Sequence, residues 1–149
     1  MEAEIKIATI ENLEILLPLV QEFHAVADLQ LADSRRENSV KMLLTHAELG
    51  GIWLICCRGQ VVGYIALCTG YSIEFGGKDA FIDEFYIRPD FQGKGLGKHT
   101  LEQIKIIAKA LGIGAIHLEV LQSNLSAQKL YRNSKFENRE QYVLMSVSL

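Results

Sequence analysis

Between positions 13 and 27 the apolar residues Leu13, Leu16, Leu17, Val20, Phe23 and Ala27 fall three and four apart, the period of one helix face. Asn12 stands where an N-cap belongs. Ahead of it, positions 4–9 alternate polar and apolar as a strand does. A second, more polar helix is predicted over 34–46, stopping before Gly50-Gly51. The apolar runs 52–57 and 61–71, joined by Arg58-Gly59-Gln60, predict an antiparallel hairpin. A turn at 75–79 leads into another strand over 80–88.

After Pro89 the pattern changes. From Gly95 the chain reads as a helix with Leu101, Ile104, Ala108 and Leu111 on one face, ended by the glycines at 112 and 114. A strand is predicted over 115–121, a helix over 124–134 and a last strand over 142–147. The order β-α-α-β-β-β-α-β-α-β implies an antiparallel front half and a right-handed βαβ crossover behind it. The expected architecture is α/β (α+β), a mixed sheet with helices on both faces, in one domain over 1–149.

Composition adds exclusions. At 149 residues, 49% hydrophobic and 22% charged, the chain has a globular balance. No apolar run approaches the ~20 residues that span a bilayer, and no basic segment precedes an apolar one at the N-terminus. A soluble, cytoplasmic protein without a membrane partner is expected. Cys56, Cys57 and Cys68 are odd in number, lack CxxC spacing and sit in apolar runs, as buried thiols in a reducing compartment do. His24, His46, His99 and His117 are scattered, so no metal site is expected. The net charge of −3 argues against nucleic acid. It is unevenly placed: residues 1–79 carry 11 acidic and 6 basic side chains, residues 80–149 carry 7 and 9.

The segment from Phe81 to Lys98 combines a strand, a glycine-rich turn and a helix start. Backbone N–H groups at such a start lack intrachain partners, and with the helix dipole they suit a pyrophosphate. Gly93, Gly95 and Gly97 permit unusual backbone angles and close approach, while Lys94 and Lys98 add charge. The Walker pattern is absent and G-x-G-x-x-G is not met. Gln92-Gly93-Lys94-Gly95-Leu96-Gly97 does satisfy [Q/R]-x-x-G-x-[G/A].

On these residues the chain resembles the GNAT superfamily of acetyl-CoA-dependent N-acetyltransferases over nearly its whole length. "FIDEFYIRPDFQGKGLGKHTLEQIKIIAKALG" is similar to that family's fourth strand, pyrophosphate loop and third helix. "AIHLEVLQSNLSAQKLYRNSKF" is similar to its fifth strand and fourth helix, with N-x-x-A-x-x-x-Y at Asn124, Ala127 and Tyr131. The resemblance implies a six- to seven-stranded sheet, about four helices, and fourth and fifth strands that splay apart. It implies that Gln92, Gly93, Lys94, Gly95, Leu96, Gly97 and Lys98 bind the pyrophosphate of coenzyme A. The backbone of Phe85, Tyr86 and Ile87 would pair with the pantetheine arm like an added strand, with Asn124 on its other side and Tyr131 near the sulfur. Where the family usually has glycine before the phenylalanine after the fourth helix, this chain has Lys135-Phe136. A lysine in a left-handed cap costs up to roughly 1–2 kcal/mol, unless Asn133 takes that angle.

Acetyl transfer to an amine needs a base, because an amine of pKa near 10.4 is neutral only about once in 10³ molecules at pH 7. Asp83 and Glu84 are the candidates. Asp83 is preferred because some acetyltransferases of the superfamily carry a functional carboxylate at that position. A tyrosine hydroxyl, Tyr131, suits the leaving thiolate. The acidic front half favours a small cationic amine as acceptor, with protein or peptide amines second. Glu22, His24, Tyr71, Phe75 and Tyr86 are candidate pocket residues. A non-enzymatic acyl-CoA-binding module and a homodimer remain open.

Overall fold

The computed structural model describes residues 2–149. Five strands form one sheet in the order β1-β2-β3-β4-β5. They are β1 (Glu4–Ile7), β2 (Gly50–Cys57), β3 (Gln60–Ser72), β4 (Gly77–Ile87) and β5 (Ala115–His117). The first four run antiparallel, and β5 lies parallel to β4. The helices are α1 (Leu13–Val26), α2 (Asp33–Thr45), α3 (Leu96–Ala110) and α4 (Leu125–Asn133).

The two faces of the sheet follow from its period of two. Ile52, Leu54, Tyr64, Ala66 and Tyr86 face Leu16, Leu19 and Val20 of α1 and Val40 of α2. Ile55, Cys57, Val62 and Ile87 face Leu96 of α3. Burying a side chain such as Leu16 or Leu19 contributes about 1.5–3 kcal/mol, which is what seats α1 on the sheet. Cys56 and Cys57 are buried and Cys68 half-buried, all as free thiols. Burial pushes the Cys56 and Cys68 thiols above their ordinary value. Among the described residues no helix is long and apolar enough to cross a membrane.

Two features of β4 position the chemistry. Its register against β3 steps between Ala66↔Glu84 and Leu67↔Ile82, leaving Asp83 as the extra residue of a bulge. Its pairing with β5 covers only Asp79↔Ala115, Ala80↔Ile116 and Phe81↔His117. Beyond Phe81 the two strands no longer pair, as the expected splay requires.

Three sequence expectations need correction. Among the described residues the sheet has five strands rather than six or seven. The strand expected over 115–121 ends at His117, and no strand forms over 142–147. Val143 and Met145 are 83% and 87% exposed. Strand propensity depends on a neighbouring ladder, and this segment has β-forming side chains but no ladder.

Contacts divide the chain into two compact units, one running through Glu119 and the other from Val120 to Leu149. In the second unit, α4 ends in a Schellman motif, with Phe136 N–H donating to Tyr131 C=O and Lys135 N–H to Arg132 C=O, each at 3.0 Å. Lys135, not Asn133, takes the left-handed angle, at φ 71°. Lys135→Gly is expected to stabilise the protein by about 1 kcal/mol and to raise the calorimetric midpoint by about 2–4 °C. An unchanged or lower midpoint would show that the lysine carries no strain.

Candidate active site

The loop after β4 is set by its own side chains. Gln92 Nε2 donates to the Ile87 carbonyl at 2.6 Å, capping the strand end. Lys94 Nζ donates to the Asp90 carbonyl at 2.8 Å and lies over the Phe91 ring at 5.6 Å. Gly93 and Gly95 have φ of 71° and 84°, the left-handed region where a side chain is strained. Gly97 has no such angle and lies in the first turn of α3.

Gly95 is the N-cap of α3, and His99 N–H to Gly95 C=O at 3.1 Å is the first helical bond. The N–H groups of Leu96, Gly97 and Lys98 therefore precede any intrahelical acceptor. With Lys94 and Lys98 nearby, this start suits an anion. The edge of β4 over Ile82–Ile87 has no β5 partner, so its backbone can accept an extended ligand by strand addition. A phosphate-bearing cofactor with a peptide-like arm fits both features together.

On the α1 face of β4, Glu84 is gripped at both oxygens. Tyr64 donates to Oε1 at 2.8 Å, and His24 Nε2 meets Oε2 at 2.5 Å. Arg36 Nε donates to His24 Nδ1 at 3.1 Å. Burial, and then the Glu84 charge, push the Tyr64 hydroxyl far above its ordinary value, with Asp83 contributing as well. Burial, then Asp83 and Glu84, also raise the Cys68 thiol. The bulge at Asp83 frees these two adjacent residues from strict alternation between the faces.

Asp83 is exposed and lines a cleft with Phe81, Ile82 and Glu119. Beside it His117 packs against the Phe75 and Phe81 rings, at 4.8 and 5.3 Å between centroids, and lies 3.4 Å from Asp79.

The remaining sequence candidates are placed differently. Glu22 is engaged by Arg88 through two bonds of 3.1 and 3.0 Å and by the Tyr86 hydroxyl at 3.2 Å. The Arg88 bonds hold its carboxyl below the usual range. Its hydrogen bond to Glu22 raises Arg88, while Tyr86 is raised chiefly by burial. His24 is committed to Glu84 rather than open to a ligand. Tyr71 is 74% exposed, opposite Lys78 near the β3–β4 turn.

In the second unit, the Asn124 side chain accepts from Ala127 N–H at 3.2 Å and so caps α4, leaving its amide N–H₂ as the group to meet a ligand. Tyr131 is half-buried, stacks edge-on with Phe136 at 5.8 Å, and has its phenol raised by burial.

Sequence reasoning missed Tyr64, Arg36 and Arg88. Tyr64 reads as one more apolar strand residue and Arg36 as part of a solvated helix face. Only the register of β3 against β4, and the packing of α2 beside α1, show otherwise.

These features agree with what the chain is similar to. The sequence model of the Acetyltransferase (GNAT) family matches residues 13–136. A bovine thialysine N-epsilon-acetyltransferase is 29% identical over 72 residues, 48% of this chain and 42% of that protein. The chain thus matches less than half of that relative's length. Among solved structures, an integron cassette protein from a salt-marsh metagenome is 33% identical, with TM-score 0.85 over 96% of this chain and 89% of the other. A predicted acetyltransferase from Clostridium acetobutylicum, solved with acetyl-CoA, shares the fold at TM-score 0.78 and 14% identity, over 97% and 96% of the two chains. With the match running from α1 through α4, and with the loop and strand edge that suit acetyl-CoA, the chain belongs to the acetyltransferase (GNAT) family.

Proposed function

We propose that this protein transfers an acetyl group from acetyl-CoA to the amine of a small cationic molecule by direct attack in a ternary complex. The observation that carries this is the pinned Glu84 carboxylate beside the bulge where β4 loses its β5 partner.

Acetyl-CoA would supply the activated acyl group, held by the N–H groups from Gly93 to Lys98, by Lys94 and Lys98, and by the backbone of Phe85, Tyr86 and Ile87. In the second unit, Asn124 and Ala127 are cofactor candidates by the family spacing alone. Glu84 takes the amine proton, directly or through a water. Its carboxylate is held in one orientation by two donors, a constraint that Asp83 lacks. Asp83 and Glu119 draw the cation into their cleft, and the Phe75 and Phe81 rings around His117 add faces a cation favours. Backbone N–H groups on the β4 edge beyond its β5 pairing would stabilise negative charge developing on the acyl oxygen. Tyr131 would supply a proton to the leaving thiolate, a role that rests on the family spacing. The acidic surroundings and the thialysine-acetylating relative both support a cationic acceptor.

The test is thiol release from acetyl-CoA with a panel of thialysine, polyamines, aminoglycosides, amino acids and peptides. A cationic small amine is expected to turn over best, with a KM that rises with salt as steering is screened. A neutral or peptide acceptor with a salt-independent KM would sink the cationic assignment. Cofactor binding without release to any amine would point to a non-enzymatic module.

A further inference from the structure

Behind Glu84 stands a run of side chains from three further elements: Tyr64 of β3, His24 of α1, and Arg36 and Asp33 of α2. Arg36 is 9% and His24 5% exposed. Arg36 Nη1 donates to Asp33 Oδ1 at 2.6 Å and Nη2 to the Leu31 carbonyl at 3.0 Å. Its Nε then reaches His24 Nδ1 at 3.1 Å.

A guanidinium has five donors and no acceptor, and it does not lose its proton in proteins. In the Arg36–His24 contact, Nδ1 must therefore be the lone-pair acceptor. The ring proton is then on Nε2, aimed at Glu84 Oε2 at 2.5 Å. On the other oxygen Tyr64, fully buried, donates its hydroxyl at 2.8 Å. The Glu84 carboxylate is thus held between two donors, and the direction of the His24 bond is set by Arg36. Because Nδ1 is occupied, His24 has no free site from which to relay a proton away from Glu84.

We propose that His24 is a positioning residue, a fixed N–H donor whose tautomer is set by the Asp33–Arg36 pair, and that it aims the Glu84 carboxylate at the acceptor amine without itself taking a proton. This rests on the acetyl-transfer reading above, with Glu84 as the base. It differs from a histidine–carboxylate pair in which the imidazole is the base, and the difference is measurable.

His24→Gln retains an amide N–H at the reach of Nε2 but cannot carry a proton as imidazole does. His24→Leu keeps bulk and loses the donor. With the best acceptor of the amine panel, His24→Leu should lower kcat about 10–10²-fold, the scale of a lost hydrogen bond to a charged group. KM for acetyl-CoA should change little, because this network runs through the side chains of His24, Tyr64 and Glu84, whereas the arm is assigned to the backbone of Phe85 to Ile87. His24→Gln should restore kcat to within a few-fold of the parent. A His24→Gln variant as slow as His24→Leu, or a His24→Leu variant of full activity, would overturn the proposal.

A measurement on the unmodified protein stands apart from both variants and from activity. Imidazole ¹⁵N spectra at pH 8 should show His24 protonated at Nε2, with Nδ1 as the hydrogen-bonded acceptor. A proton on Nδ1 would refute it even if both variants failed to fold. Lack of amine-dependent turnover in the parent would count against the enzyme reading, and the nitrogen spectra would still decide the tautomer.

Discussion

Tyr131→Phe is expected to lower kcat by roughly 10²–10⁴ while leaving the affinity for acetyl-CoA within a few-fold, the scale of a lost general acid. A thiolate of pKa about 8.5 leaves more readily when it is protonated as it departs. The donor must hold its proton at working pH, and burial raises the Tyr131 phenol in that direction. The ring, edge-on to Phe136 at 5.8 Å, is kept by the substitution and only the hydroxyl is lost. Steady-state kinetics with the best amine, paired with calorimetric titration of acetyl-CoA, separate the two quantities. Near-normal turnover would reduce Tyr131 to a packing residue.

Gly95→Val should weaken acetyl-CoA binding by about 10²-fold or more with the helical circular dichroism retained. No atom lies within 4 Å of the position a Cβ would take at Gly95, so the substitution does not clash. What it meets is the backbone angle: φ is 84°, where a β-branched residue is strongly disfavoured. The chain would relax by turning the first N–H groups of α3 away from their common point. Those donors, rather than a single side chain, make the anion site, so a local change of angle removes several contacts together. The folded core on Leu101, Ile104 and Ala108, all buried, is untouched. Unaltered affinity in calorimetry would place the cofactor elsewhere.

How far the sequence could be read depended on where each feature's cause lies. The helix over Leu96–Ala110 was legible because its apolar period and its glycines are local. The loop was legible too, since its left-handed angles at Gly93 and Gly95 are written in residue type. The bulge at Asp83 was not. It arises from a mismatch between β3 and β4, and neither strand alone records it. The same holds for Arg36, which lies on a helix read only as polar, yet reaches across to His24 and is buried. The segment 142–147 failed in the opposite direction, with strand-like side chains and no ladder to join. Local chemistry could be read along the chain, whereas registers and cross-element bonds needed the fold.

The cofactor assignment is tested most directly by amide-resolved NMR titration of the protein with acetyl-CoA. Saturable shifts should appear at Gly93 to Lys98 and along Phe85 to Ile87, with Gly95→Val abolishing both sets. Shifts confined to other elements, or none at millimolar acetyl-CoA, would contradict a cofactor bound at the start of α3 and the open edge of β4.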